Sequence, residues 1–339
     1  MRISPRNKVI SFDKVFDYRL VPDHFQSPYD QKPHILAKMA ADQLLNFIEN
    51  SSYWNNIPLY NDLKSHNRIG KMFGVLVVRD LNNGTIGFVA GFSGKLLGEN
   101  TYTHFVPPVF DMLEKSGFYV ESESQLINMS KSIKELENSD LLIQLEKQYK
   151  ESILEIEMEL QHEKRVFTEN KKAILIEFNK DEWSLDERKE QEKKLQHKII
   201  QLKIAFKAYK AQLNNRRLEE GKQLEAYKQQ IIELKAERKL KSQYLQQWLY
   251  TQYTFLNIRK EVKNLKDIFE NRDIPPSGSG ECAAPKLLQH AFKFNLEPLC
   301  MAEFWWGRSP SSKQKIEGEY YPPCEEKCRP ILKHMLKDL

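Results

Sequence analysis

The sequence predicts an α/β layered domain interrupted by a long antiparallel coiled-coil helical hairpin. Three observations carry this. All 15 prolines of the 339 residues lie outside 109–274, and Gly117 and Gly221 are the only glycines inside that stretch. Apolar residues within it recur at helical spacing. Short β-rich segments flank it on both sides, and neither flank holds enough of them for a core alone. Proline removes a backbone donor and clashes with the preceding turn, so a long proline-free run is what a long helix requires.

In chain order, Leu36, Ala40, Leu44, Phe47 and Ile48 share one face of a helix over 34–50. Met72 to Arg79 and Thr85 to Phe92 are apolar strands joined through Asn83-Gly84, a dipeptide that suits the positive φ of a tight turn and predicts a hairpin over 72–93. Gly87, Gly91 and Gly94 thin the second strand and predict a bulge or a close backbone approach.

The helical stretch follows. Leu142, Leu145, Tyr149, Ile153, Ile156 and Leu160 form one stripe. Leu195, Ile199, Leu202, Phe206, Tyr209 and Leu213, then Leu224, Tyr227, Ile231 and Leu234, alternate steps of four and three, which is a heptad seam. The seam weakens around Arg216 to Gly221, which predicts a kink. Asn179 to Trp183 interrupts the pattern, and Ser184-Leu185-Asp186-Glu187 has the spacing of a capping box opening a second helix. Residues 130–192 carry 11 Lys and Arg against 17 Asp and Glu, a net of −6, whereas residues 193–241 carry 14 against 5, a net of +9. Opposite charge favours the two arms lying side by side in one chain. The arms come out unequal, roughly 126–178 and 185–270, so the longer must bend back, pack on the globular part, or pair with another chain as a homodimer.

Pro275-Pro276-Ser277-Gly278-Ser279-Gly280 ends the helical run. A helix from about Ala283 to Phe292, a strand from Pro298 to Trp306 and a helix from about Glu325 to Lys337 complete the order. The predicted divisions are 1–125 for the first half of the α/β domain, 126–274 for the inserted hairpin and 275–339 for the second half. An antiparallel hairpin returns the chain to its starting point, as an insertion must.

Composition narrows the function. Charged residues are 29% and hydrophobic residues 40%, a slightly polar mix that a long solvated helix accounts for. No apolar run approaches the ~20 residues of a membrane helix, and Met1 to Asp13 lacks the apolar centre of a secretory signal, which predicts a cytoplasmic chain with no membrane partner. Four cysteines are too few for a disulfide scaffold in 339 residues and predict reduced thiols or metal ligands. No phosphate loop, dinucleotide fingerprint or Gly-x-Ser-x-Gly elbow occurs. The basic arm, with Arg216, Arg217, Arg238 and Lys239, is a solvated face or an RNA-facing surface, since clustered cations supply phosphate affinity. Trp305 and Trp306 would point to opposite faces of a strand, at least one of them into a core. Trp306 is the candidate for stacking an unpaired base, with Lys95, Arg308, Lys313 and Lys315 as a phosphate rim.

Cys282 opens one predicted helix and Cys324-Glu325-Glu326-Lys327-Cys328 opens another. Helix N-termini favour the thiolate that binds zinc, so three thiols at two such ends would suit Zn2+ with one position open. The alternative is a set of buried structural cysteines without metal, and Cys300 is core. The element order, with Gly280-Glu281-Cys282-Ala283-Ala284-Pro285 and Pro323-Cys324-Glu325-Glu326-Lys327-Cys328, resembles the cytidine-deaminase fold. That resemblance implies Cys282, Cys324 and Cys328 as metal ligands. Two departures stand against deamination. The family's proton-shuttling glutamate would fall at Ala284, and the second cysteine pair is spaced by three residues rather than two. Glu303 is the substitute that an enzyme with a displaced acid/base group would use.

A second resemblance covers nearly the whole chain. Gly74 to Asp80 with Gly87 to Lys95, Phe105 to Asp111, Gly278 to Leu288, Met301 to Gly307 and Tyr320 to Leu336 are similar to the N-terminal, non-catalytic region of the long RluA-type RNA pseudouridine synthases. The resemblance implies an RNA-binding accessory region for rRNA or tRNA, followed by a pseudouridine synthase domain. That family's His-Arg-Leu-Asp motif does not occur; His66-Asn67-Arg68-Ile69 is not one, so this chain carries no catalytic residue for isomerising uridine.

Overall fold

The computed structural model describes residues 1, 3–29, 32–56, 70–115, 117–180, 184–270, 274–309 and 314–339. The chain is mixed α/β, with a small antiparallel sheet and a long helix, and divides into two compact units: Met1–Glu123 with Gln243–Leu339, and Ser124–Ser242. His66 to Ile69, Asp181 to Trp183 and Lys313 lie outside the described residues.

In the globular unit, helix α1 (Ile35–Asn50) buries Leu36, Ala40, Leu44, Phe47 and Ile48, the face its spacing predicts, and Ala37 and Ala41 let it lie close to the sheet. His34 opens it by accepting the Leu36 N–H on Nδ1 at 3.2 Å. Strand β1 (Lys71–Asp80) pairs antiparallel with β2 (Ile86–Phe92), and the turn closes on Gly84 at φ +74°. The glycines of β2 answer the close-approach alternative: a Cβ on Gly87 would stand 2.6 Å from the Ile10 carbonyl oxygen, while the register with β1 stays unbroken. The irregularity lies in the other partner of β1, strand β5 (Leu296–Trp306), where Val77 faces Cys300 and Val78 faces Pro298. The sheet order is β2-β1-β5.

Period-two alternation gives this sheet two apolar faces. Phe73, Val75, Val77, Ala302, Phe304 and Trp306 join α1 in one core. Leu76, Val78 and Met301 join the other, beneath α6 (Ala283–Lys293) and α7 (Cys328–Met335). Both outer strands are covered: Ile10 bridges Phe88 on β2, while Gln26 and Tyr320 bridge β5 at Cys300 and Phe304.

The helical unit holds residues 124–242 of three helices: α2 (Phe118–Glu137), α3 (Asp140–Lys180) and α4 (Leu185–Gln252). They pair antiparallel. Glu177 meets Lys198 at 4.0 Å, the rings of Phe167 and Phe206 lie 4.9 Å apart, and Glu146 meets Lys228 at 2.8 Å. Glu137 meets Lys235 at 2.6 Å, so the second residue number climbs as the first falls. Ile133, Ile156, Leu213, Leu224 and Ile231 are buried along the seam. At the start of α4 the Glu187 carboxylate accepts the Ser184 N–H at 3.1 Å, the return bond of the capping box.

Two expectations are corrected here. The helix runs on through 216 to 221, where Gly221 sits under the Tyr149 ring, 3.2 Å from where a Cβ would stand, so it provides room for an aromatic ring. The helical run breaks at 138–139, where Ser139 Oγ accepts the Leu142 N–H and meets the Tyr227 hydroxyl at 2.7 Å. The arms are nearly matched, with 20 and 41 residues in α2 and α3 against 68 in α4. The helix stops at Gln252 rather than near 270 because Tyr253-Thr254-Phe255 prefers extended backbone. Strands β3 (Thr254–Leu256) and β4 (Val262–Asn264) and the short helix α5 (Leu265–Ile268) follow. Phe255, Leu265 and Phe269 enter the second core of the globular unit, which is the packing alternative for the surplus length. Among the described residues no helix is long and apolar enough to cross a membrane.

Candidate metal centre

Two glycines aim the first cysteine. Gly278 and Gly280 both take positive φ, +73° and +90°, and a Cβ on Gly280 would stand 2.7 Å from the Tyr253 ring. The turn they make delivers Glu281 and then Cys282, which is the N-cap residue of α6. Cys282 makes no side-chain cap bond. On the other side the final helix begins at Cys328, not at Glu325. Pro330 suits its first turn, and the Cys324 carbonyl accepts the N–H groups of Cys328 and Arg329. That short turn folds Cys324 back over Cys328, with the sulfurs 3.4 Å apart.

The Sγ atoms of Cys282, Cys324 and Cys328 all lie within 4.8 Å of one another, so the structure brings together all three sequence-predicted ligands. Cys328 is buried, Cys282 half-buried and Cys324 exposed. Thiol hydrogen bonds from Cys282 and Cys328, helped by backbone N–H groups, hold Cys324 far below the usual thiol range. Its two donors are pushed up by those same bonds and by burial. A metal bound here would take the place of those thiol protons. Three soft sulfurs in mutual reach fit Zn2+, which takes thiolates in tetrahedral sites and here would keep one position for another ligand. Cys300 lies apart in the first core, as expected.

No family model, curated protein or solved structure matches this chain.

Two further groups lie beside the trio: Tyr29, which the sequence does not single out, and Glu303, the substitute acid named from the sequence. Tyr29 lies with its ring 5.4 Å from the Arg329 guanidinium, and its buried hydroxyl has no hydrogen-bond partner. Burial and the nearby Cys328 push that hydroxyl's pKa up. Glu303 pairs with Gly74 across β1 and β5 and points to the α6 side of the sheet. It is 5% exposed, and its Oε1 accepts the Ala284 N–H at 3.0 Å. Burial pushes its carboxyl up to about 7, against the pull of that N–H. A pit of about 50 Å³ opens between Ser27, Pro33, Glu303, Tyr320 and Pro322, room for roughly one or two waters at ~30 Å³ each.

The expected RNA contacts are scattered. Trp306 is 2% exposed, packed in the first core with its indole N–H toward Glu49 at 3.3 Å, which removes it as a base-stacking platform. Trp305 is buried as well, with Lys315 over its ring. Arg216 is committed to Glu159 at 2.8 Å and Glu155 at 3.4 Å, and Arg238 donates to Ser130 at 2.5 Å. Arg217 and Lys239 are exposed on α4, and Lys95 and Arg308 are exposed on the globular unit. No feature of the sequence alone separates Arg216 from Arg217; their partners follow from which side of α4 faces α3.

Proposed function

We propose that this chain is an RNA-binding accessory region of an RluA-type pseudouridine synthase, built from a cytidine-deaminase-like domain that holds zinc and a coiled-coil hairpin that meets structured RNA, rRNA or tRNA. The observation that carries the domain reading is the Cys282–Cys324–Cys328 cluster at the starts of α6 and α7, without a carboxylate on residue 284. Zinc held there supplies a Lewis acid or a structural clamp. Support for RNA comes from the net +9 of residues 193–241 and from cations such as Arg217 and Lys239, which stay exposed there. Phosphate contacts along a helix fix orientation without reading sequence, and a partner pseudouridine synthase domain would then act on the positioned RNA.

Two measurements test this. Elemental analysis should find about one zinc per chain, lost in Cys324→Ala. Binding to a structured RNA should weaken steeply with salt, and Arg217→Ala with Lys239→Ala should flatten the log–log salt slope by about one per phosphate contact removed. RNA affinity that is indifferent to salt would remove the RNA reading while leaving the metal centre standing.

A second reading, a zinc-dependent nucleobase or nucleoside deaminase with a displaced acid/base residue, is favoured by one observation: the Glu303 carboxylate reaches the backbone of residue 284 from β5. The pit beside Glu303, at about 50 Å³, admits no nucleobase without opening. Zinc-loaded protein that leaves cytidine, adenosine and a single-stranded RNA unchanged would end that reading.

A further inference from the structure

We propose that Glu303 is a positioning residue of the metal centre, capping helix α6 in place of Cys282 so that the Cys282 sulfur is left free for the metal. The inference rests on the zinc reading of the three-cysteine cluster and adds a residue to it. A helix begins with backbone N–H groups that have no partner inside the helix, and the residue at the N-cap ordinarily supplies a side-chain acceptor. Here that residue is Cys282. A thiol is a weak acceptor, this one makes no cap bond, and it lies with Cys324 and Cys328 instead. A ligand cysteine at an N-cap therefore leaves the first turn short of an acceptor in a buried place, where an unpaired donor costs about 1–3 kcal/mol.

Glu303 makes up that shortfall from across the sheet. Its Oε1 accepts the N–H of Ala284, the second residue of α6, at 3.0 Å. The sequence arranges the reach at three points. Glu303 follows Met301 on the α6 side of β5. Opposite it, β1 carries Gly74, where a Cβ would stand 3.0 Å from the Cβ of Ala283 and 3.4 Å from Cγ of Glu303. Residue 284 is alanine, whose methyl group is too small to occupy the space the carboxylate enters. A buried acid with no ion pair is costly, and its placement at this N–H has the geometry of a cap borrowed from another element.

Cobalt(II), a spectroscopic stand-in for zinc, separates this role from plain packing. The wild-type chain should bind one Co2+ with sulfur-to-cobalt absorption. Glu303→Met keeps the volume and removes the acceptor; Glu303→Gln keeps an acceptor through its amide oxygen. In Glu303→Met, Co2+ affinity should fall about 10–100-fold, as when other outer partners of metal ligands are lost. Its absorption should also approach that of Cys282→Ala, whereas Glu303→Gln should keep the wild-type spectrum. A wild-type spectrum and affinity in Glu303→Met would overturn the positioning role, as would a Glu303→Gln that behaves like Glu303→Met. A wild-type chain that binds no Co2+ would sink the metal reading itself, a result distinct from either.

Discussion

Lys286 Nζ lies 3.0 Å from Glu281 Oε2 with its side chain 2% exposed, a buried ion pair that ties helix α6 to the turn before Cys282. The lysine also donates to the carbonyl of Gly94 at 3.3 Å, and the Tyr253 hydroxyl bonds the same carboxylate. The pair thus joins three segments: the loop after β2, the end of the α4 region and the Gly278–Cys282 turn.

Removing one partner should be costly, because it strands the other charge away from water. Lys286→Met should lower stability by about 3–5 kcal/mol in denaturant unfolding of the globular unit. The double variant Lys286→Met with Glu281→Gln should recover part of that, since no lone charge remains. A single variant within about 0.5 kcal/mol of wild type would show that water reaches Glu281 in the folded chain.

Gly280 offers a second test of the same turn. Gly280→Ala meets both a φ of +90° and the Tyr253 ring at 2.7 Å, whereas Gly318→Ala meets a φ of +82° with nothing within 4 Å. Backbone strain of order 1 kcal/mol is common to both. The ring contact is not, so Gly280→Ala should be worse by at least ~1 kcal/mol in the same measurement. Equal losses would mean that Tyr253 yields without cost.

The elements were legible where one local pattern decides them. The face of α1, the turn at Gly84, the strands and the opening of α4 at Ser184 follow from spacing and turn chemistry. The three-cysteine cluster was legible because cysteines are rare in this chain and open predicted helices. What the sequence hid depends on partners distant in the chain. Glu303 sits 19 residues from Ala284, and nothing near either residue announces their bond. Trp306 in a strand looks the same whether its ring meets Phe73 or solvent, and the packing of α1 over that face decides it. The end of α4 was misplaced because a missing proline permits a helix but does not require one.

In the helical unit, seam and charge should separate. Arg216 is 41% exposed and its partners Glu155 and Glu159 are 62% and 39% exposed, so water screens the cross-arm pairs. Arg216→Ala should shift the melt far less than Leu213→Ala, and its effect should shrink further in 0.5 M salt. Leu213, at 4% exposed, loses buried contacts, and Leu213→Ala should cost about 2 kcal/mol or more at any salt. Circular dichroism melts of both variants decide it. An Arg216→Ala loss as large as that of Leu213→Ala would make charge, not the apolar seam, the main tie between the arms.

Acid should weaken the globular unit through His290. Its ring is 4% exposed, with Nε2 2.8 Å from the Asn7 carbonyl oxygen and Nδ1 without a partner. Burial, reinforced by the nearby Lys8 and Lys293 charges, holds its pKa down at about 4 against the favourable Asn7 bond. The folded chain thus keeps His290 neutral where the unfolded chain, near 6.5, takes up a proton. The stability this neutrality allows is fully present above pH ~6.5 and is lost as pH falls toward ~4, by up to about 3 kcal/mol. His104 and His34 are also held low by burial and add to the loss. Glu303, pushed up to about 7, takes its proton first in the folded chain and offsets part of it. Asp80, held low by its hydrogen bonds, adds at still lower pH. His290→Gln should therefore lose stability less steeply between pH 6.5 and 4 than wild type. Parallel losses for the two chains would show that His290 carries its proton in the folded state.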